Sequence, residues 1–149
     1  MSNDPLVARA REAALKAYAP YSKFSVGAAI ESVDGEIAVG ANMENACYRL
    51  GICAEISALT AARQAFGLDK VKRIAVAGGH VGADGQLAGA SPVTPCGGCR
   101  QAIYEAADLS GIDIEVVSSN GDGTEAMAST IRTLLPNGFG PASLADAGD

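Results

Sequence analysis

The chain has 149 residues, of which 48% are hydrophobic and 19% charged, a balance typical of one compact domain, and we expect that domain to span residues 1–149. Seventeen acidic residues against eleven basic ones give a formal net charge of -6, and the basic residues are scattered along the chain. Because phosphate binding needs clustered lysine and arginine, a polynucleotide partner is not expected. The sequence shows neither a basic leader before an apolar block nor an apolar run of about 20 residues, which predicts a cytoplasmic protein that does not enter the membrane. Its four cysteines are then better suited to metal binding or catalysis than to disulfides.

The first half of the chain alternates between helical and extended patterns. Asp4 and Pro5 are typical of a helix cap and a first-turn proline, and they open a predicted helix that stops before Pro20. Two β-rich runs, FSVGAAIES and EIAVGAN, flank the turn sequence VDG and predict a β-hairpin. A second helix is predicted from about Cys53 to Phe66.

The second half continues the alternation. The run VKRIAVAGGH predicts a buried strand, and the Gly-rich stretch from Val81 to Thr94 predicts a loop. Another helix should open around Cys96, followed by the strand IDIEVVSS and a short helix in TIRTLLP. Alternating helices and strands with a hairpin near the front predict an α/β fold, a three-layer α/β/α sandwich around a mixed sheet.

Three cysteines stand at the predicted starts of two helices. Cys96 and Cys99 form a CxxC pair in the segment PCGGC, and Cys53 opens the other helix, where backbone N–H groups favour thiolates. Convergence of the two helix starts would give one ion three sulfur ligands and leave the fourth tetrahedral position open, as in catalytic zinc sites. Glu55, two residues after Cys53, would then lie beside a metal-bound water without binding the metal itself. The pattern therefore predicts a catalytic Zn²⁺ centre in which Glu55 moves protons.

Four segments, in this order, resemble the small homotetrameric zinc-dependent cytidine deaminases that act on free nucleosides: FSVGAAI, NMENACYRLGICAE, PCGGCRQ and LLPNGFGP. The resemblance covers roughly residues 18–144. It implies a cytidine deaminase-like fold with a five-stranded sheet, and a homotetramer whose active sites are shared between subunits. It also implies hydrolytic deamination of free cytidine and deoxycytidine to uridine and deoxyuridine, with release of ammonia. Zinc-bound hydroxide would attack C4 of the base while Glu55 shuttles the proton.

The same resemblance assigns the residues that would hold the nucleoside. Asn42 and Glu44 match the residues that hold the ribose hydroxyls, and Phe24 matches the one that packs against the nucleoside. The alternatives are that Asn42 and Glu44 organise the loop after the second strand, and that Phe24 belongs to the core. From a neighbouring subunit, the pocket is expected to receive Ala46, Tyr48 and Phe139.

The chain departs from the family pattern directly after the catalytic glutamate. The family usually has an arginine there that hydrogen-bonds the zinc thiolates and offsets their charge, whereas this chain has Ile56. Losing that cation should make the metal a poorer Lewis acid, unless Arg49 supplies part of the missing charge. An apolar residue at this position is also similar to the blasticidin S deaminases, which share the PCGxCRQ segment but lack the NxEN pair. The alternative substrate is therefore a modified cytosine nucleoside, such as an N4-substituted cytidine or a blasticidin S-like compound.

Two other protein classes compete with a nucleoside deaminase. Cys47 could complete a closed structural zinc site with Cys53, Cys96 and Cys99. A polynucleotide-editing deaminase would share the zinc chemistry, but the chain has no tryptophan, only 5% aromatic residues and no basic channel. His80 is the only histidine, and with three cysteines available we expect it at the surface or at a strand end rather than on a metal.

Overall fold

The structure, a computed structural model, describes residues 3–145. Within them the α-helices are Pro5–Ala14 (α1), Ala54–Ala65 (α2), Gly97–Ser110 (α3), Ile131–Leu134 (α4) and Pro141–Ala145 (α5). The strands are Ser25–Ser32 (β1), Ile37–Ala41 (β2), Val71–Val81 (β3), Leu87–Ala88 (β4), Glu115–Asn120 (β5) and Ala126–Thr130 (β6). Single turns of 3₁₀-helix occupy Tyr48–Leu50 and Leu68–Lys70. None of the helices within residues 3–145 is long and apolar enough to cross a membrane.

The strands form one mixed sheet in the order β2-β1-β3-β5-β6. β1 runs antiparallel to both β2 and β3, β3 runs parallel to β5, and β6 closes the far edge antiparallel to β5. The two-residue strand β4 pairs with the end of β3 and lies off this path. The predicted α/β class and mixed sheet are confirmed, and β4 adds a short sixth strand within the stretch predicted to be a loop.

Helices cover both faces of the sheet. Successive side chains of each strand point to opposite sides, so each face carries apolar residues that a helix can bury. On one face α1 buries Leu6 and Val7 against Ala29 and Ala75. On the other face α2 and α3 pack over a larger cluster that includes Ile30. The predicted three-layer sandwich follows from these two separate hydrophobic clusters.

Small residues let the helices approach the sheet closely. A Cβ atom added at Gly27 in β1 would collide with the backbone of α1 at Ala10 and Ala14. At Gly40 in β2 an added Cβ would collide with the backbone of α2 at Ala58. The positions of α1 and α2 therefore depend on glycine at these two points of contact.

The start of α1 is fixed by its cap and by an ion-pair cluster. Asp4 Oδ1 accepts a hydrogen bond of 2.9 Å from Leu6 N, as predicted for the cap. Asp4 also pairs with Arg73 of β3, whose Nε lies 2.7 Å from Glu115 Oε2 in β5. Burial raises the pKa of Asp4, but the hydrogen bond and charge of Arg73, together with hydrogen bonds from the Leu6 and Val7 backbone, outweigh burial, so that pKa lies below its usual value. The cluster thus ties α1 to two neighbouring strands.

Candidate active site

Three cysteine sulfurs meet where α2 and α3 begin. Cys53 is the N-cap of α2, Cys96 is the N-cap of α3, and Cys99 lies one turn further along α3. Both cap residues have extended backbone, with ψ of 155° and 170°, which turns each chain into its helix. The three Sγ atoms lie within 4.8 Å of one another. Tetrahedral zinc with Zn–S bonds of about 2.3 Å needs sulfurs about 3.8 Å apart, so small side-chain rotations suffice.

Backbone donors and burial act on these thiols in opposite directions. The N–H groups of Cys99 and Gly98 lower the pKa of the Cys96 thiol, as expected at a helix start. Burial raises the pKa of Cys99, which is only 2% exposed, and also that of Cys53. Three soft sulfur donors this close together suit Zn²⁺, whose binding displaces the thiol protons. The residues present therefore fit a zinc ion with three protein ligands and one open position.

Glu55 lies in the first turn of α2, beside the sulfurs. Its side chain is 4% exposed, and burial raises the pKa of its carboxyl group. The negative charge of Glu55 in turn raises the pKa of both Cys99 and Cys53, which reflects its closeness to the sulfur cluster. A buried carboxyl with a raised pKa can hold or release a proton nearer to neutral pH than an exposed one.

A cleft of about 210 Å³ joins these groups to the sheet. It is lined by Val26, Asn42, Cys53, Ala54, Glu55, Val93, Thr94 and Cys96. A second cavity, of about 450 Å³, borders it and shares Asn42 and Cys53. Asn42 thus lies at the boundary between the two, with Glu55 on the side of the smaller cleft.

The amide of Asn42 holds the beginning of β1. Its Oδ1 accepts a hydrogen bond of 2.8 Å from Val26 N, and its Nδ2 donates one of 3.0 Å to the carbonyl oxygen of Phe24. The loop-organising role considered from the sequence is therefore present. A primary amide has two N–H donors and two acceptor positions, so Asn42 keeps one of each for a further partner.

Glu44 holds the loop that precedes β1. Its Oε1 accepts hydrogen bonds from Tyr21 N at 3.0 Å and from Ser22 N at 3.1 Å. Hydrogen bonds from Ser22 and Tyr21 lower the pKa of Glu44, which keeps the carboxylate ionised. Tyr21, Ser22 and Glu44 line the larger cavity together with Tyr48, whose ring lies 6.0 Å from that of Tyr21. The second carboxylate oxygen, Oε2, has capacity for another donor.

The other residues expected in the pocket are half-buried or exposed within one chain. Phe24 is half-buried at the start of β1, and its ring contacts His80. Ala46 is exposed and Tyr48 is 80% exposed, both in the segment after β2. Phe139, between α4 and α5, is 61% exposed, and its carbonyl oxygen accepts a 2.7 Å hydrogen bond from Gln101 Nε2. Phe139 is not among the residues that line either cavity within one chain.

Ile56 points to a different part of the surface from Glu55. It lines an apolar groove of about 310 Å³ between α2 and α3, with Leu59, Leu68 and Ala102 among its neighbours. Arg49 is exposed in the 3₁₀ turn after β2. Ile56 is thus accommodated by an apolar surface rather than by the sulfur cluster.

Cys47 lies outside the sulfur cluster within residues 3–145, and its side chain is exposed. From the sequence alone, the four cysteines could also have formed a closed structural zinc site with four sulfur ligands. Only Cys53, Cys96 and Cys99 come together, so the arrangement favours an open catalytic site.

Arg100 is a supporting residue that sequence reasoning missed. Its Nε donates a 2.9 Å hydrogen bond to the carbonyl oxygen of Pro95, and its Nη1 donates one of 3.0 Å to that of Leu134. These bonds hold the residue before Cys96 against the end of α4. The signal available in the sequence was an arginine directly after Cys99, because side chains next to the cysteines of a metal site often hold the surrounding backbone in place.

Comparison with known proteins gives a consistent result. Residues 1–111 match the family model described as the cytidine and deoxycytidylate deaminase zinc-binding region. A cytidine deaminase of Sporosarcina psychrophila is 36% identical over 149 residues, covering 100% of this chain and 99% of the relative. A cytidine deaminase of Halalkalibacterium halodurans is 39% identical over 139 residues, covering 93% of this chain and 95% of the relative.

A solved structure agrees with these relatives. The crystal structure of cytidine deaminase from Burkholderia pseudomallei superposes with a TM-score of 0.76 at 38% identity, and the match covers 93% of this chain and 100% of that one. The matched family region contains all three clustered cysteines and Glu55. The chain therefore belongs to the family of zinc-dependent cytidine deaminases.

Proposed function

We propose that the protein hydrolyses free cytidine and deoxycytidine to uridine and deoxyuridine, releasing ammonia. The observation that carries the proposal is the burial of the Glu55 carboxylate beside three converged sulfurs, in a cleft that Asn42 also lines. Cys53, Cys96 and Cys99 are the proposed zinc ligands. Zinc, when bound, supplies a Lewis acid that acidifies a water molecule at its open position.

Glu55 is the proposed proton carrier. From the first turn of α2 its carboxylate accepts one proton from the attacking water and delivers it to N3 of the pyrimidine, where it remains in the product. The carboxylate then takes the second proton from the new C4 hydroxyl and passes it to the departing amine, which leaves as ammonia as C4 becomes a carbonyl. Because burial raises the pKa of Glu55, the group can both take up and release a proton during one turnover. Proton transfer by one positioned carboxylate typically contributes a factor of about 10² to 10⁴ in rate.

Asn42 and Glu44 are the proposed ribose contacts. Asn42 already binds backbone through Oδ1 and Nδ2, and Glu44 through Oε1, which orients the remaining amide N–H of Asn42 and the remaining carboxylate oxygen of Glu44. A donor next to an acceptor suits neighbouring sugar hydroxyls. The ionised Glu44 would repel a phosphate group, which favours nucleosides over nucleotides. Phe24 is the proposed contact for the nucleoside at the start of β1.

We further propose a cytoplasmic homotetramer in which subunits share active sites. Ala46, Tyr48 and Phe139 are the proposed contributions of a neighbouring subunit. Their exposure supports this assignment, since aromatic side chains that are 80% and 61% exposed gain most by burial against a partner. Subunits that cannot associate should then fold without catalysing the reaction, whereas an active monomer would exclude the arrangement.

The decisive experiment follows the loss of ultraviolet absorbance with cytidine, deoxycytidine and N4-substituted cytidines, alongside zinc per chain. We expect turnover of both free nucleosides and one zinc per chain. Cytidine monophosphate and single-stranded oligonucleotide should react far more slowly. Faster turnover of the N4-substituted compounds would favour the modified-nucleoside alternative, and full activity without metal would refute the zinc mechanism.

A further inference from the structure

His80 lies where the backbone ladder between β1 and β3 stops. The last antiparallel pair is Ser25 with Gly79, so Phe24 and His80 face each other at the next position of the register. At this residue β3 begins to pair with β4, with His80 opposite Ala88. A side chain therefore occupies the place where backbone pairing to β1 would have continued.

The imidazole replaces the missing backbone contact. His80 Nδ1 lies 2.9 Å from the carbonyl oxygen of Lys23, and because a carbonyl only accepts, Nδ1 carries the proton. Lys23 has φ of 59°, in the left-handed region that residues other than glycine rarely adopt. Its amide closes the turn by donating to the carbonyl oxygen of Ala19 at 3.0 Å. The strained turn is thus held at its carbonyl by the His80 ring.

The same ring supports Phe24. The two ring centroids are 5.3 Å apart at 86°, an edge-to-face arrangement. On its other side Phe24 lies against Gly78, where an added Cβ would come within 3.2 Å of Phe24 Cε1. Val26 and Val93, which reach the same point above Gly78, line the cleft that holds Glu55. Phe24 does not itself line the cleft, but it lies next to these two lining residues, with its ring placed against Gly78 and His80 of β3.

We propose that His80 is a positioning residue for nucleoside binding, which fixes Phe24 and residues 19–24 through its bond to Lys23 and its ring contact. The inference rests on the proposed function, since it takes the cleft beside Phe24 as the nucleoside pocket. Glu55 and the three cysteines belong to the starts of α2 and α3 and not to this loop. His80 should therefore act on substrate binding and not on the chemical step.

Three substitutions separate the two contacts. His80→Phe keeps an aromatic ring but loses the donor, and KM for cytidine should rise about fivefold. His80→Gln keeps a donor but loses the ring, with a similar rise of about fivefold. His80→Ala loses both, and KM should rise more than about tenfold while kcat stays within about twofold of wild type. Gln86→Ala, in the same β3–β4 hairpin, is the control and should leave both constants unchanged. In a Phe24→Ala background the part of the His80→Ala effect that comes from the ring contact should disappear, leaving a rise in KM of about fivefold from the lost donor.

A second measurement does not depend on turnover. Hydrogen exchange of the amides in residues 19–26, followed by mass spectrometry, should be faster in His80→Ala than in wild type. Unchanged exchange would overturn the inference, as would a fall in kcat with KM unchanged, which marks a purely structural role. A loosened loop with unaltered KM would overturn it as well. Wild-type protein that leaves every nucleoside intact would instead refute the proposed function, and the exchange comparison would still decide whether His80 holds the loop.

Discussion

Replacing Glu55 by glutamine removes one ionisable group and almost nothing else. The amide has nearly the shape of the carboxylate, and the three sulfurs remain where they are, so zinc binding should persist. Glu55 is 4% exposed, and burial raises the pKa of its carboxyl, so little bulk water reaches the site to take over its role. The expected loss in kcat is therefore the full range for a positioned acid–base group, about 10² to 10⁴, or about 3 to 5 kcal/mol of transition-state stabilisation.

The assay for Glu55→Gln combines the absorbance decrease on cytidine deamination with zinc per chain and the melting temperature. KM should change little, because Asn42, Glu44 and Phe24 are the proposed binding groups. Glu12→Gln is the matched control, since the side chain of Glu12 is exposed on α1, far from the sulfur cluster, and should cost nothing. A Glu55→Gln enzyme with kcat within about tenfold of wild type would refute Glu55 as proton carrier. Loss of zinc together with activity would instead make Glu55 a ligand.

Five further substitutions test the metal site and the fold. Cys47→Ser should keep one zinc per chain because Cys47 lies outside the cluster, whereas Cys99→Ser should lose metal; zinc loss in both would restore the closed four-sulfur site. Asp4→Asn keeps the α1 cap acceptor but removes a carboxylate whose pKa is lowered in the folded protein. The stabilising effect of this carboxylate is fully present above the unfolded pKa of about 3.9 and is lost as pH falls through the folded pKa. The variant should therefore be less stable than wild type at pH 7, by about 1 to 2 kcal/mol in urea unfolding. Its stability should also depend less on pH below about pH 4. Gly27→Ala forces a Cβ into the backbone of α1 and should cost about 1 to 3 kcal/mol by thermal melting, whereas Gly97→Ala meets open space and should leave the melting temperature unchanged.

The elements with strong local patterns could be predicted from the sequence. The Asp-Pro start of α1, the hairpin β1–β2 and the helices that open at Cys53 and Cys96 carry caps, turn residues or periodic apolar side chains. β6 carries none of these signals. It is an edge strand of mostly exposed or half-exposed residues, so neither of its faces imposes an apolar alternation. β4 has only two residues and is defined by its partner β3.

The candidate site, like the fold, could be predicted only where residue types and local spacing carry the information. Residue types and spacing predicted that three sulfurs and a carboxylate would serve one metal site, because zinc chemistry restricts which residues can do so, and the structure brings the three sulfurs together. The contacts of Asn42 and Glu44 with backbone, of Arg100 with two carbonyls and of His80 with Lys23 depend on which loops meet. Such contacts join residues distant in sequence, and no local pattern encodes them.

Glycine at positions 97 and 98 invites the interpretation that a tight turn brings Cys96 and Cys99 together. Both glycines instead lie in the first turn of α3, and an added Cβ at either would meet open space. The helix itself brings a cap residue and the residue three positions later to one side. What this helix start supplies is charge compensation, since the N–H groups of Cys99 and Gly98 lower the pKa of the Cys96 thiol. Ile56 lies in the groove between α2 and α3, so at the start of α3 backbone N–H groups, and not a side chain at position 56, favour the Cys96 thiolate.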